Sequence, residues 1–324
     1  MTDSTAVTGP TIVDIIAARA VVRRYLPPTP TWSYPVLNEA VGAQVFVKHE
    51  NVQPTGAFKV RGGVNLLAGM PAERRSAGIV SCSTGNHAQS LAYAAREFGV
   101  PCTIVMPTNV NPVKLRAVEG LGAKAELRGE VFDECVAHAA QIARDTGAEL
   151  IGVADSPLVA GVGTMYLELF EAAPDLDAIF VPLGGGSSAS GACLVAAALA
   201  PACKVIAVQS AQAPAGHDSW RAGHVVQRPN RTVVEGLSTG QGFETTQAIL
   251  RTRLSDFLLV DDEQIHAAGN LMLTSAHTLA EGAGAAGLAG LLQVREQYAG
   301  RKVAVICSGG NSSPVEINTF LQAR

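Results

Sequence analysis

Charge is what this chain of 324 residues has least of, with Asp, Glu, Lys and Arg together making up 16% of it, against roughly a quarter in an average soluble domain. So little charge on so long a chain means a large buried fraction, and a chain of this size buries roughly 75% of its unfolded surface, usually in more than one core. Two lobes packed on each other are therefore expected. The net charge is −4 and no cluster of Lys and Arg interleaves with aromatics. That excludes a nucleic-acid partner and points to a small molecule instead. A membrane span is also lacking. The longest charge-free stretch, residues 178–203, is cut by Pro182, Gly184, Gly185, Gly186, Gly191 and Pro201 into two short apolar runs, the pattern of strand, loop and helix. Asp3 precedes any basic residue and Asp14 interrupts the first apolar stretch, so no signal peptide is expected. Cys82, Cys102, Cys135, Cys193, Cys203 and Cys307 form no CxxC pair. Neither a disulfide framework nor a zinc site is indicated, and all six read as reduced core residues of a cytoplasmic protein. No internal repeat is present, which excludes a solenoid.

What the chain does have is alternation. Apolar, β-branched runs at 45–48, 78–82, 102–106, 125–127, 150–153, 178–183, 205–209, 257–260 and 303–307 alternate with helical patterns near 60–68, 86–98, 112–120, 132–146, 163–171, 190–199, 246–252, 262–279 and 285–297. Such alternation implies an α/β fold of open, mostly parallel sheets with helices on both faces, and strands apolar throughout agree with burial on both faces. Residues 73–151 make tight strand–helix units joined by short Gly/Pro connections and read as a small domain inserted into a larger one formed by 1–72 and 152–324. Residues 230–243, the longest weakly periodic stretch, read as an ordered loop near the site.

Ligands of open parallel sheets gather beyond the carboxyl ends of the strands, and three segments there are rich in small polar residues. Gly184-Gly185-Gly186-Ser187-Ser188 lies between a strand and a helix. It suits a phosphate held by backbone N–H groups at a helix start, or else a tight structural turn. Its spacing is not that of a dinucleotide fingerprint, and Gln209 stands where a ribose-binding carboxylate would be expected, which counts against a nicotinamide-dependent dehydrogenase. Ser83-Thr84-Gly85-Asn86-His87 opens another helix and offers donors to an oxyanion, or simply a helix cap. Ser308-Gly309-Gly310-Asn311 follows the last strand; its serine is placed to hydrogen-bond a ring nitrogen, or the segment is only a loop. Lys59, between Phe58 and Val60, is either a solvated surface group or a desolvated amine of lowered pKa able to form a Schiff base.

Taken together and in this order, these segments resemble the tryptophan-synthase-like, or fold type II, family of pyridoxal-phosphate enzymes, and within it the serine/threonine dehydratase group. The resemblance runs from about Pro27 to the end of the chain. It implies pyridoxal 5'-phosphate as cofactor, with Lys59 carrying the internal aldimine, Phe58 packed on the ring and Asn86 at the ring hydroxyl oxygen. Gly184, Gly185, Gly186, Ser187 and Ser188 would hold the phosphate, and Ser308 would face the pyridine nitrogen. Ser83, Thr84, Gly85 and His87 would surround the carboxylate of an amino-acid substrate. A neutral hydroxyl at the ring nitrogen makes a weaker electron sink than a carboxylate partner would, which favours elimination. The activity implied is loss of water from a β-hydroxy amino acid, with freed Lys59 as general base, to an aminoacrylate that hydrolyses to a 2-oxo acid and ammonia. Threonine and serine are the default substrates, and bulkier ones such as phenylserine, hydroxyaspartate or a hydroxyectoine-derived amino acid remain open. Alternatives within the fold are a β-replacement enzyme and an amino-acid racemase.

The sequence departs from the family pattern at Ala57, where a serine is usual, and at Val162, where glutamine is usual. Thr84 stands where related racemases place a reprotonating serine, which disfavours racemisation. Gln209, Ala213 and Ala215 lack the carboxylates with which many relatives bind a divalent cation, so no metal site is expected. Asn311 lies close to the chain end, so feedback control of the kind seen in longer threonine deaminases is not expected. A homodimer is the default assembly. Glu281 reads as a neighbour of the cofactor or as a first-turn carboxylate favoured by the helix dipole. Arg61 either orients the lysine segment or bridges the lobes. His217 and His224 read as structural, and Trp220 and Phe243 as pocket or core residues.

Overall fold

A computed structural model describes residues 9–323; Asp3 lies outside them. The elements in chain order are α1 (Ile12–Val22), β1 (Thr31–Ser33), α2 (Pro35–Val41), β2 (Gln44–His49), α3 (Lys59–Gly69), α4 (Ala72–Ala77), β3 (Ile79–Cys82), α5 (Asn86–Phe98), β4 (Cys102–Met106), α6 (Pro112–Gly120), β5 (Lys124–Leu127) and α7 (Phe132–Thr146). They continue with β6 (Glu149–Leu150), α8 (Ser156–Ala172), β7 (Ala178–Pro182), α9 (Ser187–Leu199), β8 (Lys204–Ser210), α10 (Ala215–Ala222), α11 (Glu244–Arg253), β9 (Asp256–Val260), α12 (Asp262–Ser275), α13 (Gly282–Gln293), β10 (Lys302–Cys307) and α14 (Pro314–Gln322).

The strands form two sheets, one ordered β1-β2-β10-β7-β8-β9 and the other β5-β4-β3-β6. Only β1 pairs antiparallel among the described strands. The α/β class with helices on both faces is thus the observed one. Burial explains it: every residue of β3 and β7 is buried, as is all of β10 after Lys302, and a strand dry on both faces needs helices on both. Two cores flank the larger sheet, and a third sits under α3, α5 and β4.

Several boundaries differ from the pattern reading. α1 was not expected, because Asp14 looked like an interruption; it is the N3 residue of a capping box, accepting from Thr11 N at 2.7 Å. β1, α2, α4, α10 and α14 were also too short or too polar to stand out. α8 begins at Ser156, well before Gly163, since its interior glycines are close-contact positions and not breaks. A Cβ on Gly161 would lie 2.4 Å from the Arg61 carbonyl, and one on Gly62 would lie 2.9 Å from that of Leu158, so α3 and α8 touch backbone to backbone. On the other side of α3, a Cβ on Gly63 would lie 2.5 Å from Ser90 Oγ of α5. α12 ends at Ser275, and His277 turns the chain with φ 51°.

Candidate functional site

The site gathers where β2, β3, β7 and β10 end. β2 and β10 run in register to their last residues, Cys307 beside His49. The loop after β2 is then fastened to the segment after β10: Phe58 N donates to Ser308 O at 3.0 Å, Gly310 N to Gly56 O at 2.9 Å, and Ala57 bridges Gly309. This places Lys59, the first residue of α3, beside the carboxyl edge of the sheet.

Beneath it lies a dry ionic core. Arg61 donates to Glu50 through Nε at 2.7 Å and Nη2 at 2.8 Å, and to Glu168 through Nη1 and Nη2, both at 2.8 Å. Lys48 Nζ donates to Glu168 at 2.7 Å and Thr29 Oγ1 to Glu50 at 2.6 Å. All of these side chains are buried, and the two cations match the two carboxylates. Burial alone would raise Glu50, but the Arg61 and Lys48 charges hold it below the usual carboxylate range. Arg61 therefore ties the lysine helix to Glu50, after β2, and to Glu168 of α8.

Lys59 has no such partner. Its Nζ lies 5.3 Å from the centroid of the Phe58 ring and 3.4 Å from Ser187 Oγ, and no carboxylate pairs with it among the described residues. Burial lowers it from 10.5 to about 8. Its backbone carbonyl accepts from Ser90 Oγ at 2.6 Å, which ties the start of α3 to α5.

Ser187 belongs to the glycine loop after β7. It opens α9, and Gly186 before it has φ 86°, a left-handed turn that favours glycine. The first N–H groups of a helix have no carbonyl inside it to meet, and here they emerge from the glycine turn. A Cβ on Gly184 would lie 2.4 Å from Gly236 O, and one on Gly186 would lie 2.7 Å from Thr246 Oγ1, so side chains are excluded from the cradle. Thr246 Oγ1 donates to Gly185 O at 3.0 Å and pins the turn from α11, while Phe243 and Val153 border Gly185. These features fit a phosphate held by backbone dipoles. Ser188 is different: its hydroxyl pairs with Tyr166 OH at 2.8 Å inside the core, which leaves its N–H as the group facing the loop.

The Asn loop follows β3. Gly85 N donates to Ser83 Oγ at 3.3 Å, and α5 starts at Asn86. Asn86 Nδ2 donates to Glu281 Oε1 at 2.6 Å and its Oδ1 accepts from Asn311 Nδ2 at 2.8 Å. His87 is buried with Nε2 unpartnered; burial and the nearby Lys59 charge lower it to about 3, so the ring is a neutral donor or acceptor. Ser308 directly follows the last strand and is buried, its carbonyl accepting from Phe58 N. Thr84, in the loop between β3 and α5, is partly exposed.

Lys59, Phe58, Ser187, Ser308, Asn86 and His87 are thus drawn from separate elements to one place. The sequence pattern places Asn311 in the segment after the last strand without a role and does not mark Thr246 or Tyr166 as neighbours, and Glu281 turns its carboxyl to Asn86. His217 pairs with Asp218, His224 is exposed, and Trp220 packs on Phe257 with its Nε1 donating to Leu250 O. None of those three reaches the site residues through a described contact. No helix among the described residues is long and apolar enough to cross a membrane.

Comparison with known proteins gives consistent matches. Residues 22–309 match the family model described as pyridoxal-phosphate dependent enzyme. The chain is 36% identical to an L-threo-3-hydroxyaspartate ammonia-lyase of Saccharomyces cerevisiae, covering 97% of each. It is also 36% identical to an L-threonine ammonia-lyase of Thermotoga maritima, over 93% of this chain and 75% of the relative. Among solved structures, that of maize serine racemase superposes with a TM-score of 0.92 at 31% identity, over 97% of this chain and 98% of the other.

Proposed function

Since the chain belongs to the pyridoxal-phosphate dependent enzyme family, we propose that it is a dehydratase, or ammonia-lyase, that converts a β-hydroxy amino acid to a 2-oxo acid and ammonia. Its cofactor is pyridoxal 5'-phosphate. The observation that carries the reading is Lys59: a desolvated amine without a counter-ion, against an aromatic ring and beside a helix N-terminus suited to phosphate.

When bound, pyridoxal phosphate supplies a carbonyl for amines and a conjugated ring that accepts an electron pair. The residues of the chain do the rest. With its pKa at about 8, about one Lys59 in ten is neutral at pH 7, against about one in several thousand for an ordinary lysine. With the cofactor held there, that amine would be placed to react with its carbonyl and to act as base toward the Cα proton of the substrate. The N–H groups of Gly184, Gly185, Gly186, Ser187 and Ser188 would hold the phosphate, Phe58 would cover one ring face and Asn86 would donate to the ring oxygen. Ser308 would offer a hydroxyl to the ring nitrogen, a partner that cannot hold a pyridinium as a carboxylate would. Ser83, Thr84, Gly85 and neutral His87 would orient the substrate carboxylate. Their donors are uncharged, so the orientation depends on hydrogen-bond geometry more than on Coulomb attraction.

The relatives named for threonine and 3-hydroxyaspartate support these two amino acids, with serine, as the first substrates to try. A screen for oxo-acid release over threo and erythro β-hydroxy amino acids is the test. Release from at least one is expected, Lys59→Ala should abolish it together with the near-visible absorbance, and retention of both in the variant would sink the assignment. A β-replacement enzyme would release little oxo acid without a second substrate. Racemisation is the second reading, supported by the likeness to a serine racemase and by the Thr84 hydroxyl. Chiral analysis of residual serine would reveal it. Residues 73–151 are read as a small mobile domain, and the chain as a cytoplasmic homodimer whose six buried free cysteines suit a reducing compartment.

A further inference from the structure

One chain of hydrogen bonds runs along the rim of the site, and its direction is fixed. Asn311 Nδ2 donates to Thr55 O at 2.9 Å and to Asn86 Oδ1 at 2.8 Å, and Asn86 Nδ2 donates to Glu281 Oε1 at 2.6 Å. A backbone carbonyl only accepts, so Asn311 must turn its NH2 group toward Thr55 and, with the second hydrogen, toward Asn86. Asn86 must then give its oxygen to Asn311 and its NH2 group to Glu281. One amide hydrogen of Asn86 has no acceptor among the described residues. Two glycines from different loops make room for this chain: a Cβ on Gly56 would lie 2.4 Å from Asn311 Oδ1, and one on Gly309 would lie 2.4 Å from Glu281 Oε1.

We propose that Glu281 is a positioning residue for the cofactor ring: by accepting one Asn86 hydrogen, with Asn311 at the other end of the same amide, it holds Asn86 so that the remaining hydrogen is presented to the ring oxygen. This rests on the reading of Asn86 as the ring-oxygen contact. The strength of the hold depends on the charge of Glu281. Burial raises that carboxyl from 4.5 to about 7; Glu316 of α14 raises it further, while the Asn86 hydrogen bond and Lys114 of α6 pull it down. Lys114 itself pairs with Glu235 of the 3-10 turn Glu235–Leu237, and the Cys307 thiol of β10 also faces Glu281. Ionised, Glu281 is a charged acceptor and grips the amide; protonated, it grips less, and the ring oxygen meets a looser donor.

The test uses holoenzyme and needs no substrate. Wild type, Glu281→Ala, Asn311→Ala and Glu281→Gln are loaded with pyridoxal phosphate, and cofactor Kd and the near-visible absorbance band are followed from about pH 5.5 to 9. Loss of a hydrogen bond to a charged group should weaken cofactor binding about tenfold or more in Glu281→Ala, with a displaced band, and Asn311→Ala should displace the band in the same direction. Glu281→Gln keeps an acceptor, so it should hold the cofactor within about threefold of wild type but lose the absorbance step near pH 7. An unchanged Kd and band in Glu281→Ala, or a step near pH 7 that survives in Glu281→Gln, overturns the proposal. Should Glu281→Ala fail to fold, the Glu281→Gln titration decides alone. Failure of the dehydratase reading would show as absence of oxo-acid release with the absorbance step intact, so the two outcomes are separable.

Discussion

Lys48 and Lys59 lie in neighbouring segments, both desolvated, and the protein treats them in opposite ways. Lys48 is satisfied: it meets Glu168 and the Thr29 carbonyl, in a cluster where Arg61 and Glu50 complete the charge balance. Lys59 is left without a counter-ion, touching only a hydroxyl and an aromatic ring. Pairing makes a lysine structural, and withholding the pair makes it reactive. The paired cluster also holds Arg61, so the amine without a counter-ion stands beside a charge-balanced cluster.

The sharpest way to break the contrast is to remove one acid from the cluster. Glu168→Ala would leave Lys48 and Arg61 short of a carboxylate in the core, and should cost about 3–5 kcal/mol of unfolding free energy by denaturant titration. Lys59→Met in the apoprotein should cost little, because no counter-ion is lost, only a long hydrogen bond to Ser187 and the Phe58 ring contact, and a desolvated amine is removed. A large loss of stability there would mean that Lys59 is paired after all.

The pH dependence of apoprotein stability should show the same difference with a definite sign. Lys59 is lowered to about 8 in the fold from 10.5, so between those values the unfolded chain binds more protons and stability rises with pH. Lys59→Met should flatten that rise. Glu281 has the opposite sense: raised to about 7 from 4.5, its contribution is full below the unfolded value and is lost as pH rises through 7. Glu281→Gln should therefore gain on wild type at pH 8 compared with pH 5, read as the difference in melting temperature. The smallest effect belongs to the exposed end of the scale. Glu235 is mostly exposed, and Lys114→Gln should change stability by less than about 1 kcal/mol, in a salt-dependent way.

Much of the fold was legible because strands buried on both faces are short apolar runs whatever their neighbours. All nine expected strands are found, although β6 lies slightly ahead of its expected place. Helices were less legible where a polar residue had two readings. Asp14 reads as an interruption and is the N3 member of a capping box; Gly163 reads as a helix start and is a place where helices touch. In the site, Lys59, Asn86, Ser187 and Ser308 were legible because each follows a strand end or opens a helix. Glu281 was half legible. It does precede a helix start, as read, but its carboxyl turns to Asn86, far away in sequence, and no local pattern carries that. The same holds for Glu50 and Glu168, which Arg61 and Thr29 bring together from distant parts of the sequence.

The glycines of α3 have a mechanical meaning as well. Gly62 meets α8 and Gly63 meets α5 with hardly more than a hydrogen atom between the surfaces, so the helix that begins at Lys59 runs like a shaft in a close-fitting bearing. Such a shaft cannot tilt without prising its housing open. Lys59 is thus seated at the end of a helix that close backbone contact holds from two sides.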